Sequence, residues 1–103
     1  MAELDALRTG PAEARTADGH LLYAQALDAT GQGDAALTEY QALAEYFPGE
    51  EARCRYAELL ERTGATELGR AQYREVIRRV DLQGGVYRRA QKSWYDIARR
   101  AVA

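Results

Sequence analysis

Two side chains in this sequence could act near neutral pH as a soft nucleophile and as a base: Cys54, the one cysteine, and His20, the one histidine. Acyl transfer by such a pair needs the thiolate and the imidazole within hydrogen-bond reach, with a third group orienting the ring. The two residues sit at unrelated positions, and no motif surrounds either. Arg53 and Arg55 flank Cys54, but neighbours in a helical sequence point to other faces, so neither cation is set to depress the thiol's pKa. Cys54 therefore reads as a small, partly buried filler and His20 as a solvated or capping residue at a helix start. One cysteine closes no internal disulfide, and a single cysteine with a single histidine is too small a donor set for zinc. Gly31 and Gly33 follow a helix rather than a strand, so a phosphate-cradling loop fails on context. No catalytic, metal or cofactor-binding residue is expected, and the chain is read as a non-enzyme.

The remaining distinctive residues recur. Tyr23, Ala24, Leu27, Gly31 and Tyr40 return as Tyr56, Ala57, Leu60, Gly64 and Tyr73 at a fixed offset of 33, and Ala36 returns as Gly69. Self-similarity at this period marks stacked repeats, each a supersecondary unit that cannot bury its apolar face alone. The four repeated tyrosines are therefore expected in the core, whereas Tyr46, Tyr87 and Tyr95 are less constrained.

The elements that must position these residues are helices. A first helix is expected over His20–Thr30, capped by Asp18, buried through Leu22, Tyr23, Ala26 and Leu27, and ended by Gly31. A second is expected from Asp34 to about Tyr46, ended by Pro48 and Gly49. A third, about Glu50–Thr63, repeats the first, and a fourth runs from a Thr66 cap to about Val80. Small residues at Ala24, Ala36, Ala57 and Gly69 let the paired backbones approach. Asp81–Gly85 is expected as a connector. The last helix, Val86 to about Val102, carries an apolar line of Tyr87, Ala90, Trp94, Ile97 and Ala101, with Arg88, Arg89, Lys92, Arg99 and Arg100 facing water. It is expected to cap the array. Residues 1–17 could hold a helical turn at Leu4 and Leu7 and read as the remnant of a preceding helix or as a frayed terminus.

At 103 residues, 47% hydrophobic and 29% charged, the chain can bury one modest core. No run of 18 apolar residues and no apolar segment behind a basic start occurs, so neither a membrane span nor a signal peptide is expected, and a reducing, cytoplasmic setting is. The net charge of −2 conceals a split: residues 1–51 carry ten acidic and two basic side chains, residues 52–103 six acidic and twelve basic. Arg70, Arg74, Arg78 and Arg79 with Arg88, Arg89 and Lys92 could form a basic ridge for nucleic acid, but a pI near 5.4 and alternation with Glu67 and Glu75 favour a solvated face.

The frame W-x2-L-G-x2-Y, A-x3-F, P is similar to His20, Tyr23, Ala24 and Leu27, then Ala36 and Tyr40, then Pro48, with a second copy in Arg53, Tyr56, Ala57 and Leu60, then Gly69 and Tyr73, then Asp81. Over about residues 18–81 the chain thus resembles the tetratricopeptide repeat. DGHLLYAQAL, EYFPGEEARCRYAELL and RRAQKSWYDIARRA further resemble the C-terminal portion of longer bacterial proteins of that family. The resemblance implies an all-α fold of antiparallel helical hairpins stacked as a short right-handed solenoid, with repeats at 18–49 and 50–82 and a solvating C-terminal helix at 85–102. Its first frame position is His20 or Arg53 rather than an aromatic, and Asp81 stands for the closing proline.

Members of that family usually grip a segment of another protein on the inner face of the array. Carried over by position, the groove residues here would be Leu21, Gln25 and Asp28, then Cys54, Glu58 and Glu61, then Tyr87, Gln91 and Trp94. The lysine and asparagine clamp that some members use for a C-terminal carboxylate is replaced by Leu21, Gln25, Cys54 and Glu58. The implied groove is acidic with an aromatic end, suited to a basic or amphipathic peptide or helix. The expected role is a protein-binding scaffold. The alternatives are an end-cap of a longer array, self-association of the acidic half with the basic half, and nucleic-acid binding through the basic half.

Overall fold

The computed structural model of the chain describes residues 16–103, and the expected turn at Leu4 and Leu7 lies outside them. The described residues form six α-helices and no strand: α1 Ala17–Ala29, α2 Gly33–Tyr46, α3 Glu51–Arg62, α4 Thr66–Gln83, α5 Gly85–Ala90 and α6 Lys92–Val102. The described residues divide into two compact units, the first ending at Pro48 and the second Gly49–Ala103. In the first, α1 packs on α2; in the second, α3 packs on α4, and α6 lies along α4.

Both hairpins turn by the same device. After α1, the Gly31 N–H donates to the Asp28 carbonyl and the Gln32 N–H to the Leu27 carbonyl; after α3, Gly64 donates to Glu61 and Ala65 to Leu60. These are the paired bonds of a Schellman end, which requires a left-handed residue after the cap, and Gly31 (φ 81°) and Gly64 (φ 96°) supply it. Thr30 and Thr63 each back-bond to the same two carbonyl positions of the preceding turn. Every one of these equivalences is 33 residues apart.

The small residues sit where the paired helices meet. Ala24, Ala36 and Ala57 are solvent-free and Gly69 is buried. A Cβ placed on Gly69 would stand 2.8 Å from the Ala57 carbonyl oxygen and 2.6 Å from Glu61 Cγ. Tyr40 and Tyr73, at 3% and 4% exposure, are the aromatic anchors of their units, while Tyr23 and Tyr56 are half-buried.

The helix starts depart from expectation. Thr16, not Asp18, caps α1: its Oγ1 accepts from the Gly19 N–H at 2.9 Å. Asp18 lies in the first turn, where its charge faces the positive end of the helix dipole. Asp34 and Thr66 likewise fall inside α2 and α4, whose starts have no side-chain cap. On α1, Leu21 is buried and Leu22 exposed, the reverse of the expected face, and Ala26 is exposed.

The larger departures come after Val80. With Asp81 where the first repeat has Pro48, nothing stops the helix, and α4 runs on through Gln83 to end at Gly84 (φ 95°). The expected single last helix is broken at Gln91 into α5 and α6. The break rotates the phase of α6, so Tyr95 and Ala98 are the buried residues of this stretch, whereas Ala90 is exposed. Tyr95 and Ala98 join Cys54, Ala57, Tyr73, Val76 and Val80 in one apolar cluster; Tyr87, Trp94, Ile97 and Ala101 pack against it half-buried.

Candidate functional site

In the first unit, His20 is not a solvated residue. Its Nε2 lies 2.6 Å from Glu39 Oε1 and its Nδ1 2.7 Å from the Tyr46 hydroxyl, with the two rings stacked at 5.8 Å. A carboxylate only accepts, so Nε2–H donates to Glu39 and Nδ1 accepts from Tyr46 in the neutral ring. The order hydroxyl, imidazole, carboxylate is that of a catalytic relay. Desolvation, and then the Glu39 charge, push the Tyr46 pKa up. The three residues tie the start of α1 to α2. Arg53 Nη1 donates to Gln72 Oε1 at 2.7 Å in the second unit, 33 residues on from His20 and Glu39, so the tie is a repeat-frame position with changed chemistry.

The second unit is built around a carboxylate that sequence reasoning passed over. Glu50 is 0% exposed. Arg79 Nε donates to both of its oxygens at 3.0 and 3.2 Å, the Tyr87 hydroxyl donates to Oε2, and the Glu50 N–H donates to Gln91 Oε1 at 2.8 Å. Burial, then the bond to Glu50, push the Tyr87 pKa up to about 12. For Arg79, burial pulls the pKa down, but the bond and charge of Glu50 outweigh it and the net direction is up. A charge this deep survives only when paired and hydrogen-bonded. The pattern carried no signal because Glu50 falls at a helix start, where acidic residues are ordinary.

The nine residues proposed for a partner groove divide between the units. In the first, Leu21 is buried, and Gln25 and Asp28 are half-buried on α1. In the second, Cys54 is buried, with its thiol donating to the Trp94 carbonyl at 3.6 Å. Burial and then the Glu50 charge push its pKa up to about 12 against the opposing pull of Arg53 and Arg55. Tyr87 and Gln91 are engaged by Glu50. Glu58 is exposed but paired with Arg62 at 2.6 Å, one turn along α3. Glu61 is half-buried, its Cγ beside Gly69. Trp94 is half-buried beneath the Arg55 guanidinium, 5.5 Å from the ring centre, and Arg55 is itself paired with Glu51 at 2.9 Å. The exposed side of α3 is thus a run of Glu–Arg pairs rather than bare acid.

The basic ridge is also largely engaged. Arg70 donates to the Ala101 and Val102 carbonyls at the end of α6, Arg78 pairs with Glu75, Arg88 with Asp81, and Lys92 with Asp96. Arg88 and Arg99 stand over the Tyr95 ring, whose hydroxyl donates to Asp81 at 2.7 Å. Arg74, Arg89 and Arg100 are exposed and have no carboxylate partner among the described residues.

No buried side-chain nitrogen or oxygen among the described residues lacks a hydrogen-bond partner, and no three His, Cys, Asp or Glu residues among them converge as metal ligands. No helix among them is long and apolar enough to cross a membrane. Comparison of the chain with family models, with curated proteins and with solved structures finds no match.

Proposed function

We propose that this chain is a non-catalytic protein-interaction module, built from tetratricopeptide-like hairpins, that takes a basic or amphipathic segment of a partner. One observation carries the reading: residues 16–48 bear five carboxylates, Asp18, Asp28, Asp34, Glu39 and Glu45, and not one lysine or arginine. A surface of one sign steers an oppositely charged ligand and rejects like-charged ones. The side chains with chemical potential support the same reading, since Cys54 is buried and His20 is held at both ring nitrogens.

The contact positions in the first unit are Gln25 and Asp28 with Asp18 beside them. In the second unit, Glu61 and Trp94 remain candidates, and the Arg62 partner blunts Glu58. Fluorescence anisotropy of a labelled lysine- and leucine-rich amphipathic peptide tests this on the whole chain. Saturable binding that Asp18→Lys with Asp28→Lys weakens at least tenfold is the expected result. Binding insensitive to those changes, or none at submillimolar protein in low salt, overturns it.

A further inference from the structure

Tyr46 combines three properties that no other tyrosine of the chain shares. It is the exposed one of the seven, 50% open to solvent. Its hydroxyl donates to His20 Nδ1 at 2.7 Å, and the opposite ring nitrogen donates to Glu39 Oε1 at 2.6 Å. Its unit is of one sign, because residues 16–48 contain no lysine or arginine. A phenol gives up an electron more readily when its proton leaves in the same event, since the alternative product is a strongly acidic cation radical. That proton needs a base within hydrogen-bond reach. An ordinary imidazole holds a proton about two pKa units more tightly than an ordinary carboxylate. Ionisation ahead of electron loss is disfavoured, because desolvation and the Glu39 charge push the Tyr46 pKa up.

We infer that Tyr46 is the residue at which small one-electron oxidants modify this chain, its phenolic proton passing to His20 Nδ1 as its electron leaves. The electron goes to the oxidant and the O–H bond breaks toward Nδ1, which leaves a neutral tyrosyl radical and an imidazolium. The imidazolium keeps its Nε2–H on the Glu39 carboxylate, so the new positive charge forms inside an existing hydrogen bond. The competing side chains are worse placed. Tyr95 is 6% exposed, with the Arg88 and Arg99 guanidiniums 5.4 and 5.6 Å from its ring centre. Trp94 is half-buried, with Arg55 5.5 Å from its ring centre. A cation over a π face opposes removal of an electron from it. Tyr87 is half-buried and donates to Glu50, a carboxylate already held by Arg79. Cys54, Tyr40 and Tyr73 are buried, and Tyr23 and Tyr56 half-buried. With one histidine in the chain, none of these can share the imidazole that serves Tyr46. The product follows from the radical, whose spin lies on the oxygen and on the ring carbons beside it. Two copies couple through those carbons into a dityrosine: one C–C bond forms, and the two displaced ring hydrogens end on the two oxygens. The pair has then lost two electrons to oxidant and two protons to base.

Photogenerated ruthenium(III) tris-bipyridyl acting on the full chain tests this, read by transient absorption of the tyrosyl radical and by peptide mapping of the dityrosine. In the wild type the coupled residue maps to Tyr46, and Tyr46→Phe, which keeps the ring and its stacking on His20, removes most of the product. His20→Gln keeps a hydrogen-bond acceptor but no base, and radical formation in it slows at least about tenfold. Glu39→Gln falls between the two. Heavy water slows the wild type and has little effect on His20→Gln, because a proton moves with the electron in the first and not in the second. Retained helicity by circular dichroism shows the variants folded, and if His20→Gln loses it, the heavy-water effect on the wild type and the Tyr46→Phe map still decide. Dityrosine mapping to Tyr23, Tyr56 or Tyr87, or first oxidation at Trp94, overturns the inference. So does a folded His20→Gln variant oxidised as fast as the wild type, which would make exposure alone the cause, or a wild-type rate indifferent to heavy water.

Discussion

Removing the Glu50 carboxylate leaves the Arg79 guanidinium and the Tyr87 hydroxyl facing a space closed to water, with neither the charge nor the acceptor that held them. Breaking a buried pair from one side costs about 3–5 kcal/mol; Arg79 is about a third exposed, which places Glu50→Ala nearer 2–4 kcal/mol. Glu50→Gln keeps the volume and one acceptor and should cost about half as much, a difference readable in urea denaturation. Gly69→Ala sets two effects against each other. Alanine gains about 1 kcal/mol of helix propensity, but its Cβ meets a backbone carbonyl at 2.8 Å, and overpacking of that kind costs about 1–3 kcal/mol. The expected outcome is net destabilisation, whereas the same change at an exposed helical position would stabilise.

Alkaline pH acts on the same buried groups. Cys54, Tyr73 and Tyr87 all have pKa values pushed up to about 12, burial being the first cause in each. A raised value in the folded state means that the neutral form is favoured there, while the unfolded chain sheds these protons from about pH 9 for the thiol and about pH 10 for the phenols. Their contribution is therefore complete below pH 9 and is lost progressively as the pH climbs to 12. The urea midpoint should be level through neutrality and fall over that window, with Cys54→Ala shifting the onset upward by about one pH unit.

At the scale of elements, α4 is decided by the absence of a proline. Pro48 limits α2, whereas Asp81 lets α4 continue by a turn and turns its carboxylate into the acceptor for Tyr95 and Arg88. Asp81→Pro should shorten α4 and remove that acceptor together, costing about 3 kcal/mol or more, with a measurable loss of helical circular dichroism. The α5–α6 break is the element that periodicity could not supply. Gln91 ends α5 without a helix-breaking side chain to announce it, yet that side chain is drawn to the Glu50 N–H, and α6 restarts with Tyr95 and Ala98 inward. Counting along an unbroken helix instead selected Ala90, which is exposed.

For the molecule as a whole, the second unit has the larger described core. Val76 and Val80, both solvent-free, lie in the cluster closed by Tyr95 and Ala98. Amide exchange tracks local packing, so the amides of α4 around Val76 and Val80 should be the slowest to exchange and those of α5, which buries no residue, among the fastest in the second unit. Hydrogen exchange measured by NMR that ranked α5 with α4 would contradict this.

The hairpins were legible from sequence because their determinants are local and periodic. A glycine that can take positive φ after α1 and after α3, small residues at the crossing, and a tyrosine that must be buried all repeat at 33, and each acts within a few residues or across one turn. The site was legible only in part. Leu21, Cys54, Tyr87 and Gln91 were placed by a repeat frame that fixes which face a residue occupies, not what else reaches that face. Cys54 met the Trp94 backbone 40 residues on, and Glu50 met Tyr87 and Gln91 at separations of 37 and 41. Those pairings obey no period, since the helices that close the second unit are not copies of anything before them. The sequence alone thus determined the two hairpins, their glycine turns and the sorting of charge along the chain, but not the extension of α4 or the break between α5 and α6. Only tertiary structure decided which polar groups were spent inside, because burying a charge depends on partners brought together by packing rather than by spacing.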